Sequence, residues 1–390
     1  NHLDELKMLA QTANVETLGE ITQKVQKINP AFYIGKGKAQ QVIDQAKLLG
    51  ANVIIFDDEL SPAQIKNYHK LAKKIKVIDR SSLILDIFKK HAKTREAKTQ
   101  VELALCQYLL PRLTRQWTHL ERQMGGVGTR AGMGETQIEV DRRLIRDKIS
   151  KLKLDLIKIE SERKTQSQNR VNEFRVALVG YTNAGKSTLF NSLTGNNVYV
   201  KNQLFATLDT TVRKLKLNKK HQVLISDTVG FIRKLPHNLV ASFKSTLKEL
   251  LEANHILIVL DASSKIIDEH LETISKVLNE LGANDIPKSY IFNKIDLVED
   301  ENDIKKLKSN YRNAILTSAL HHLRLDDVKN HLIEKIESDF NVFDLNISYE
   351  QGKILSQIQN QAEILDTDYG DKAIKLKIRG KEDSIKRLFK

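Results

Sequence analysis

The run Gly180-Tyr181-Thr182-Asn183-Ala184-Gly185-Lys186-Ser187 constrains this chain more than any other feature. It fits the spacing G-x-x-x-x-G-K-[ST] and stands between an apolar strand pattern, Phe174 to Val179, and a helix-forming stretch, Thr188 to Leu193. Glycines at these positions let a loop curl with its backbone N–H groups turned inward, and the helix that follows adds the positive end of its dipole. Lys186 is expected to neutralise the β- and γ-phosphates of a nucleotide, and the Ser187 hydroxyl to take a position on Mg2+. Such a loop sits at the end of a buried strand in a parallel sheet, so the expected fold class is α/β.

Four more elements follow in order. Asp227-Thr228-Val229-Gly230 ends the strand pattern Gln222 to Ser226, where Asp227 is expected to hold Mg2+ through water and the Gly230 N–H to sense the γ-phosphate. Asn293-Lys294-Ile295-Asp296 ends the pattern Ser289 to Phe292. A carboxylate at Asp296 can accept from both the ring N1–H and the exocyclic amine of guanine, a pair that adenine lacks, so the purine is expected to be guanine. Ser318-Ala319-Leu320, after Ala314 to Leu316, is expected to close the base pocket with backbone N–H contacts. Phe205-Ala206-Thr207-Leu208-Asp209 lies where a loop must reach over the γ-phosphate; Thr207 is the candidate for a second hydroxyl on Mg2+, with Thr210 and Thr211 as rivals.

Together these imply a P-loop GTPase domain that takes GTP and GDP, with Lys186, Thr207, Asp227 and Gly230 as its catalytic residues. Phe231 stands where many small GTPases place a glutamine that orients water. An apolar ring cannot do this, so unassisted hydrolysis is expected to be slow and a partner to accelerate it.

With 390 residues the chain has room for several domains. Residues 1–95 alternate strand and helix patterns, including an extended stretch Val15 to Val25, and are expected to form an N-terminal α/β domain. Residues 96–170 read as a long antiparallel helical hairpin, with one stripe from Val101 to Met124 kinked at Pro111 and a second from Ile145 to Ile159. The G domain is expected over 171–340. A small α+β C-terminal domain is expected over 341–390, with a helix around Glu350 to Ile364 and a strand Ala373 to Ile378.

The net charge of +14 is concentrated near the start: residues 1–170 carry 31 Lys and Arg against 20 Asp and Glu. That distribution points to a polyanionic partner. The tip of the hairpin holds Gly125, Gly126, Gly128, Gly132 and Gly134, flanked by Arg122, Arg130, Arg142 and Arg143. A loop poor in side chains lets backbone approach RNA closely while arginines pair with phosphates, so these are the candidate RNA contacts.

Several stretches carry a family resemblance: Tyr33-Ile-Gly-Lys-Gly-Lys38, Trp117-Thr-His-Leu-Glu-Arg-Gln123, Gly134-Glu-Thr-Gln-Ile-Glu139, Phe205 to Asp209, and Asp227-Thr-Val-Gly-Phe-Ile-Arg-Lys-Leu-Pro236. From about residue 10 to 340 the chain resembles the HflX family of ribosome-associated GTPases. The resemblance implies a hairpin that reaches ribosomal RNA near the peptidyl-transferase centre of the large ribosomal subunit. It also implies splitting of stalled or idle ribosomes, often under stress. One departure is local: the family's Gly-x-Arg-Gly-Pro-Gly-Glu-Thr is here Gly128-Thr-Arg-Ala-Gly-Met-Gly-Glu-Thr136, one residue longer and with Met133 in place of proline. Ribosome assembly, or RNA remodelling by an NTPase, are the alternatives.

No apolar run approaches the roughly 20 residues that span a bilayer, and no basic stretch followed by an apolar one opens the chain, so neither a membrane span nor export is expected. Cys106 is the only cysteine, which suits a reducing cytoplasm. A cytoplasmic, ribosome-associated monomer is the expectation.

Overall fold

The computed structural model describes residues 2–113, 137–167, 173–195, 204–205, 207–234, 248–338, 340–351, 354–355, 357–358, 362–370, 373–381 and 385. The architecture is α/β, with three sheets in separate parts of the chain.

The N-terminal part comprises α1 (His2–Thr12), α2 (Lys36–Leu48), β1 (Val53–Phe56), α3 (Pro62–Ala72), β2 (Lys76–Asp79) and α4 (Arg80–His91), with β1 and β2 paired in parallel. Ser61 and Gln64 form a reciprocal capping box ahead of Pro62, which explains why α3 starts there. The extended pattern of Val15 to Val25 does not become a strand. Those residues form no regular element, since glutamates, threonines and Gly19 leave too few apolar side chains to hold a ladder.

Next come α5 (Arg95–Leu109) and α6 (Gln137–Ser167). The first stripe is interrupted at Pro111: α5 stops at Leu109, and Leu110–Arg112 tighten into a 3-10 turn, while the part of the stripe from residue 114 to 124 lies outside the described residues. Leu103 and Cys106 of α5 pack with Ile145 and Leu152 of α6, so the two apolar stripes do meet. The tip between them lies outside the described residues.

The third part is a six-stranded sheet in the order β4-β5-β3-β6-β7-β8, made of β3 (Phe174–Gly180), β4 (Thr211–Lys216), β5 (Gln222–Asp227), β6 (His255–Asp261), β7 (Lys288–Asn293) and β8 (Ile315–Leu316). All neighbours run parallel except the edge pair β4 and β5. Its helices are α7 (Lys186–Thr194), the short α8 (Lys248–Leu251), α9 (Ile267–Leu281), α10 (Glu301–Asn310) and α11 (Leu325–Glu337). Ile256 to Leu260 of β6 are all buried, as expected of a strand covered on both faces. The chain crosses from one side of β3 to the other, to β5 and to β6, and this switch point is where ligands bind in such sheets. One continuous apolar cluster runs from Leu9, Phe88 and Val101 through Phe205, Leu208 and Phe231 to Ile258.

Finally β9 (Phe340–Ser348), β10 (Glu363–Tyr369) and β11 (Ala373–Lys381) form an antiparallel sheet in the order β10-β11-β9, burying Ile374, Leu376 and Ile378 on one face. The expected helix cannot reach Ile364, because Glu363 and Ile364 already belong to β10. Asp366 and Asp368 alternate there with Leu365, Thr367 and Tyr369, a strand period next to a helical one.

Candidate functional site

The site is built at the carboxyl ends of β3, β5 and β7. Gly180 closes β3, and a Cβ there would lie 2.1 Å from the Val259 carbonyl oxygen of β6, so the tight strand crossing admits only glycine. Asn183 and Gly185 both take left-handed backbone, with φ of 61° and 87°. A Cβ on Gly185 would meet the Asn293 amide at 2.2 Å, so this glycine serves the turn and the close approach together. Ala184 and Thr182 are buried beside it, and Thr188 lies in the first turn of α7.

Lys186 is buried and donates to the carbonyls of Tyr181 at 2.9 Å and Gly180 at 3.2 Å. Burial pulls its ammonium pKa down to about 8; Asp227 opposes that shift and Lys294 adds to it. Asp227, at the end of β5, is 1% exposed, and among the described residues neither of its carboxylate oxygens has a hydrogen-bond partner. Burial holds its carboxyl above the ordinary range, opposed by the neighbouring Ser187, Lys186 and Thr207. Buried carboxylate oxygens without donors are costly, and they call for a cation.

Of the three candidate threonines, Thr207 is the one brought to Ser187, with the two hydroxyl oxygens 2.7 Å apart. Two hydroxyls and a carboxylate, all hard oxygen donors, fit Mg2+. Among the described residues no group of three or more His, Cys, Asp or Glu side chains converges, so a nitrogen- or sulfur-rich metal site is not what this donor set offers.

Around Thr207, the candidate residues separate. Phe205 turns its ring edge-on against Phe88, with centroids 4.6 Å apart, and Leu208 joins the same core. Asp209 does not face the nucleotide position: it accepts from the Lys93 N–H at 3.0 Å and from the Thr94 hydroxyl, next to the N-terminus of α5. Sequence proximity to Thr207 placed Phe205, Leu208 and Asp209 among the nucleotide contacts; their side chains belong to the interface with α4 and α5. Ala206 lies outside the described residues.

The segment after Asp227 packs on the phosphate-binding loop. Thr228 donates to the Leu178 carbonyl, Val229 is buried, and Phe231 exchanges main-chain bonds with Gly180 (3.0 Å) and Thr182 (2.8 Å). A Cβ on Gly230 would stand 2.9 Å from the Thr182 Cα and 3.0 Å from the Lys186 ammonium. Glycine is needed for that approach.

At the base end, Asn293 donates to the Ala184 carbonyl and accepts from the Ala319 N–H at 2.9 Å. Lys294, left-handed with φ of 62°, reaches Asp261 at 2.8 Å. Ile295 and Asp296 sit in a 3-10 turn, and the Asp296 carboxylate is 3.6 Å from the His321 ring. The Ser318 N–H is spent on Leu323 and the Ala319 N–H on Asn293, so the expected N–H contacts of those two residues to a base are already engaged within the protein; Leu320 is 70% exposed.

Two residues escaped the sequence. Asp261 orients Lys294, and its signal was an acid at the end of the most apolar strand. Glu5, far away in α1, accepts from Tyr181 at 2.5 Å, and no local pattern announces that contact. Of the candidate RNA contacts, Arg142 and Arg143 are exposed on α6. Arg122, Gly125, Gly126, Gly128, Arg130, Gly132 and Gly134 lie outside the described residues. No described helix is long and apolar enough to cross a membrane.

Three family models match the chain: GTP-binding GTPase N-terminal over residues 1–89, GTP-binding GTPase Middle Region over 91–170, and 50S ribosome-binding GTPase over 175–294. GTPase HflX of Escherichia coli (strain K12) is 41% identical over 393 residues, covering 100% of this chain and 92% of that protein. GTPase HflX of Flavobacterium psychrophilum is 50% identical over 295 residues, 76% of this chain and 71% of that protein. GTPase HflX of Caldanaerobacter subterraneus subsp. tengcongensis is 43% identical over 377 residues, 96% of this chain and 86% of that protein.

Proposed function

The chain belongs to the HflX family of GTPases, and from that premise we propose that it uses a cycle of GTP binding and hydrolysis on the large ribosomal subunit to split stalled or idle ribosomes. The observation that carries the nucleotide part is the convergence of Lys186, Ser187, Thr207 and Asp227 at one end of the parallel sheet. In this reading Gly180 to Thr188 cradle the phosphates, Asp296 selects guanine, and Asn293 and Lys294 hold the pocket in shape. Ser187, Thr207 and Asp227 would hold Mg2+. When bound, the cation supplies charge to offset the phosphate oxygens.

Phe231 offers no group to orient water, and its buried ring stays in the core beside Val229. The intrinsic rate is therefore slow, and the ribosome accelerates it by drawing Gly230 and Thr207 onto the γ-phosphate or by adding a group in trans. The ribosomal contact is assigned to the basic N-terminal half, above all Arg142, Arg143 and the glycine-rich tip. The working division is 1–95, 96–170, 171–340 and 341–390. An 11-charge basic surplus over residues 1–170 supports placing the contact there, and the 50S ribosome-binding GTPase model that matches residues 175–294 supports the ribosome as the partner. A cytoplasmic setting fits the single buried cysteine, and the factor is taken to act as a monomer.

Sedimentation of intact ribosomes with the protein and either GTP or a non-hydrolysable analogue tests the proposal. Dissociation with both nucleotides is the expected result, with hydrolysis serving release. Binding confined to free large subunits would favour a role in assembly instead.

A further inference from the structure

Thr182 is the third residue of the phosphate-binding loop, and its side chain is 6% exposed. Among the described residues its Oγ1 has no hydrogen-bond partner. The neighbouring hydroxyls are engaged by contrast: Ser187 meets Thr207 at 2.7 Å, and Thr228 donates to the Leu178 carbonyl at 2.7 Å. Burying a hydroxyl without a partner is costly, and valine would fill nearly the same space without that cost. A threonine in this position is explained by a partner that arrives with the ligand of the loop.

Two main-chain bonds fix where that hydroxyl stands. The Thr182 N–H donates to the Phe231 carbonyl at 2.8 Å, and the Phe231 N–H donates to the Gly180 carbonyl at 3.0 Å, so Thr182 lies across from Phe231 and beside Gly230. A Cβ built on Gly230 would meet the Thr182 Cγ2 at 2.9 Å and the Lys186 ammonium at 3.0 Å; the methyl and the ammonium therefore line the same glycine. Lys186 is assigned to the β- and γ-phosphates and the Gly230 N–H to the γ-phosphate, so Thr182 adjoins the group that water attacks. Its hydroxyl is one staggered χ1 step from the methyl and forfeits no protein hydrogen bond in turning.

We propose that Thr182 is a further catalytic residue of GTP hydrolysis, its hydroxyl orienting the attacking water in the place where Phe231 has only an apolar ring; this role rests on the reading of GTP as the ligand of this loop. Lys186 carries donors only, and Ser187, Thr207 and Asp227 serve Mg2+, whereas a threonine hydroxyl accepts from a water and donates to a phosphate oxygen. The water oxygen forms a bond to the γ-phosphorus as the bond from that phosphorus to the β–γ bridging oxygen breaks, and the electron pair of the broken bond stays on GDP. The proton of the water passes to the released phosphate, so Thr182 aligns the reactants and neither gains nor loses a proton.

Single-turnover hydrolysis of GTP by the full chain alone tests this, with the Kd of GDP and of a non-hydrolysable GTP analogue and a thermal melt measured on each variant. Thr182→Val is expected to slow hydrolysis about 10- to 100-fold while both Kd values stay within about 2-fold, the mark of an interaction made in the transition state. Its melting temperature is expected to be no lower than that of the wild type, since only an unpartnered hydroxyl is lost. Thr182→Ala is expected to be slow as well, and Thr182→Ser, which keeps the hydroxyl, to stay within about 3-fold of the wild-type rate. Hydrolysis by Thr182→Val at the wild-type rate overturns the proposal, as does a Thr182→Ser variant as slow as Thr182→Val, or a loss of affinity that accounts for the loss of rate. Wild-type protein that binds no guanine nucleotide overturns the function assignment itself.

Discussion

Asn293 donates its side-chain amide to the carbonyl of Ala184 at 3.0 Å, so the residue that opens the guanine-selecting turn also clamps the phosphate-binding loop. Its oxygen holds the Ala319 N–H, which makes it the pin between three loops.

Asn293→Ala therefore removes two buried hydrogen bonds and leaves their partners unmet, a cost of about 2–4 kcal/mol. The expected outcome is weaker binding of GTP and ATP alike, with an unchanged ratio between them, because the phosphate loop loosens. Titration with both nucleotides reads the ratio.

Asp296→Asn is expected to behave differently. An amide places a donor where guanine also donates, so GTP affinity should fall by at least about 100-fold while xanthosine triphosphate, which offers an oxygen there, gains. Competition between the two triphosphates measures the switch; a retained guanine preference would contradict the assigned role of Asp296.

Proton uptake should accompany nucleotide binding at alkaline pH. Burial lowers the Lys186 pKa to about 8, whereas an unfolded lysine titrates near 10.5. A phosphate beside it restores the charge, so binding should draw a proton between about pH 8 and 10.5. Calorimetry in buffers of different ionisation heats detects it. The sign for folding is set by the same shift: the unfolded chain holds more protons in that window, so the nucleotide-free protein gains stability as pH rises through it. Lys186→Met should abolish the uptake.

A buried chain at the opposite end of the sheet should govern acid stability. Ser289 lies between His255 at 2.8 Å and His331 at 2.7 Å, and its single proton means that one imidazole accepts from it while the other donates to it. Burial, with His331 and Lys335 nearby, lowers the His255 pKa from 6.5 to about 4, and burial also lowers His331. The folded state then resists protonation that the unfolded chain accepts. Up to about 3 kcal/mol should be lost as pH falls from 6.5 towards 4. Melting temperatures of wild type and His255→Asn at pH 7 and pH 5 check this, the variant losing less.

The order of the nucleotide elements was legible because each is a short local pattern tied to a strand end: Lys186, Ser187, Thr207 and Asp227 need only their neighbours to be recognised. What stayed hidden was non-local. Asp209 looked like part of the switch loop because it is two residues from Thr207, but its partners, Lys93 and Thr94, lie more than a hundred positions away. The helix expected around Glu350 to Ile364 overruns the first two residues of β10 and the rest of that strand goes unassigned, because only its pairing with β11 marks it as a strand. Val15 to Val25 failed in the opposite sense, an extended pattern without a partner strand.

Thr207 is bracketed by Phe205, seated against Phe88, and by Asp209, fastened to Thr94. The hydroxyl proposed for the metal thus inherits its position from residues 88–94, on the far side of a boundary that a fragment starting at residue 171 would cut. Such a fragment would bare Phe205 and Leu208 to water and leave Asp209 without its donors. Its turnover would describe a different catalyst, so the enzymology of this GTPase is best done on the intact polypeptide.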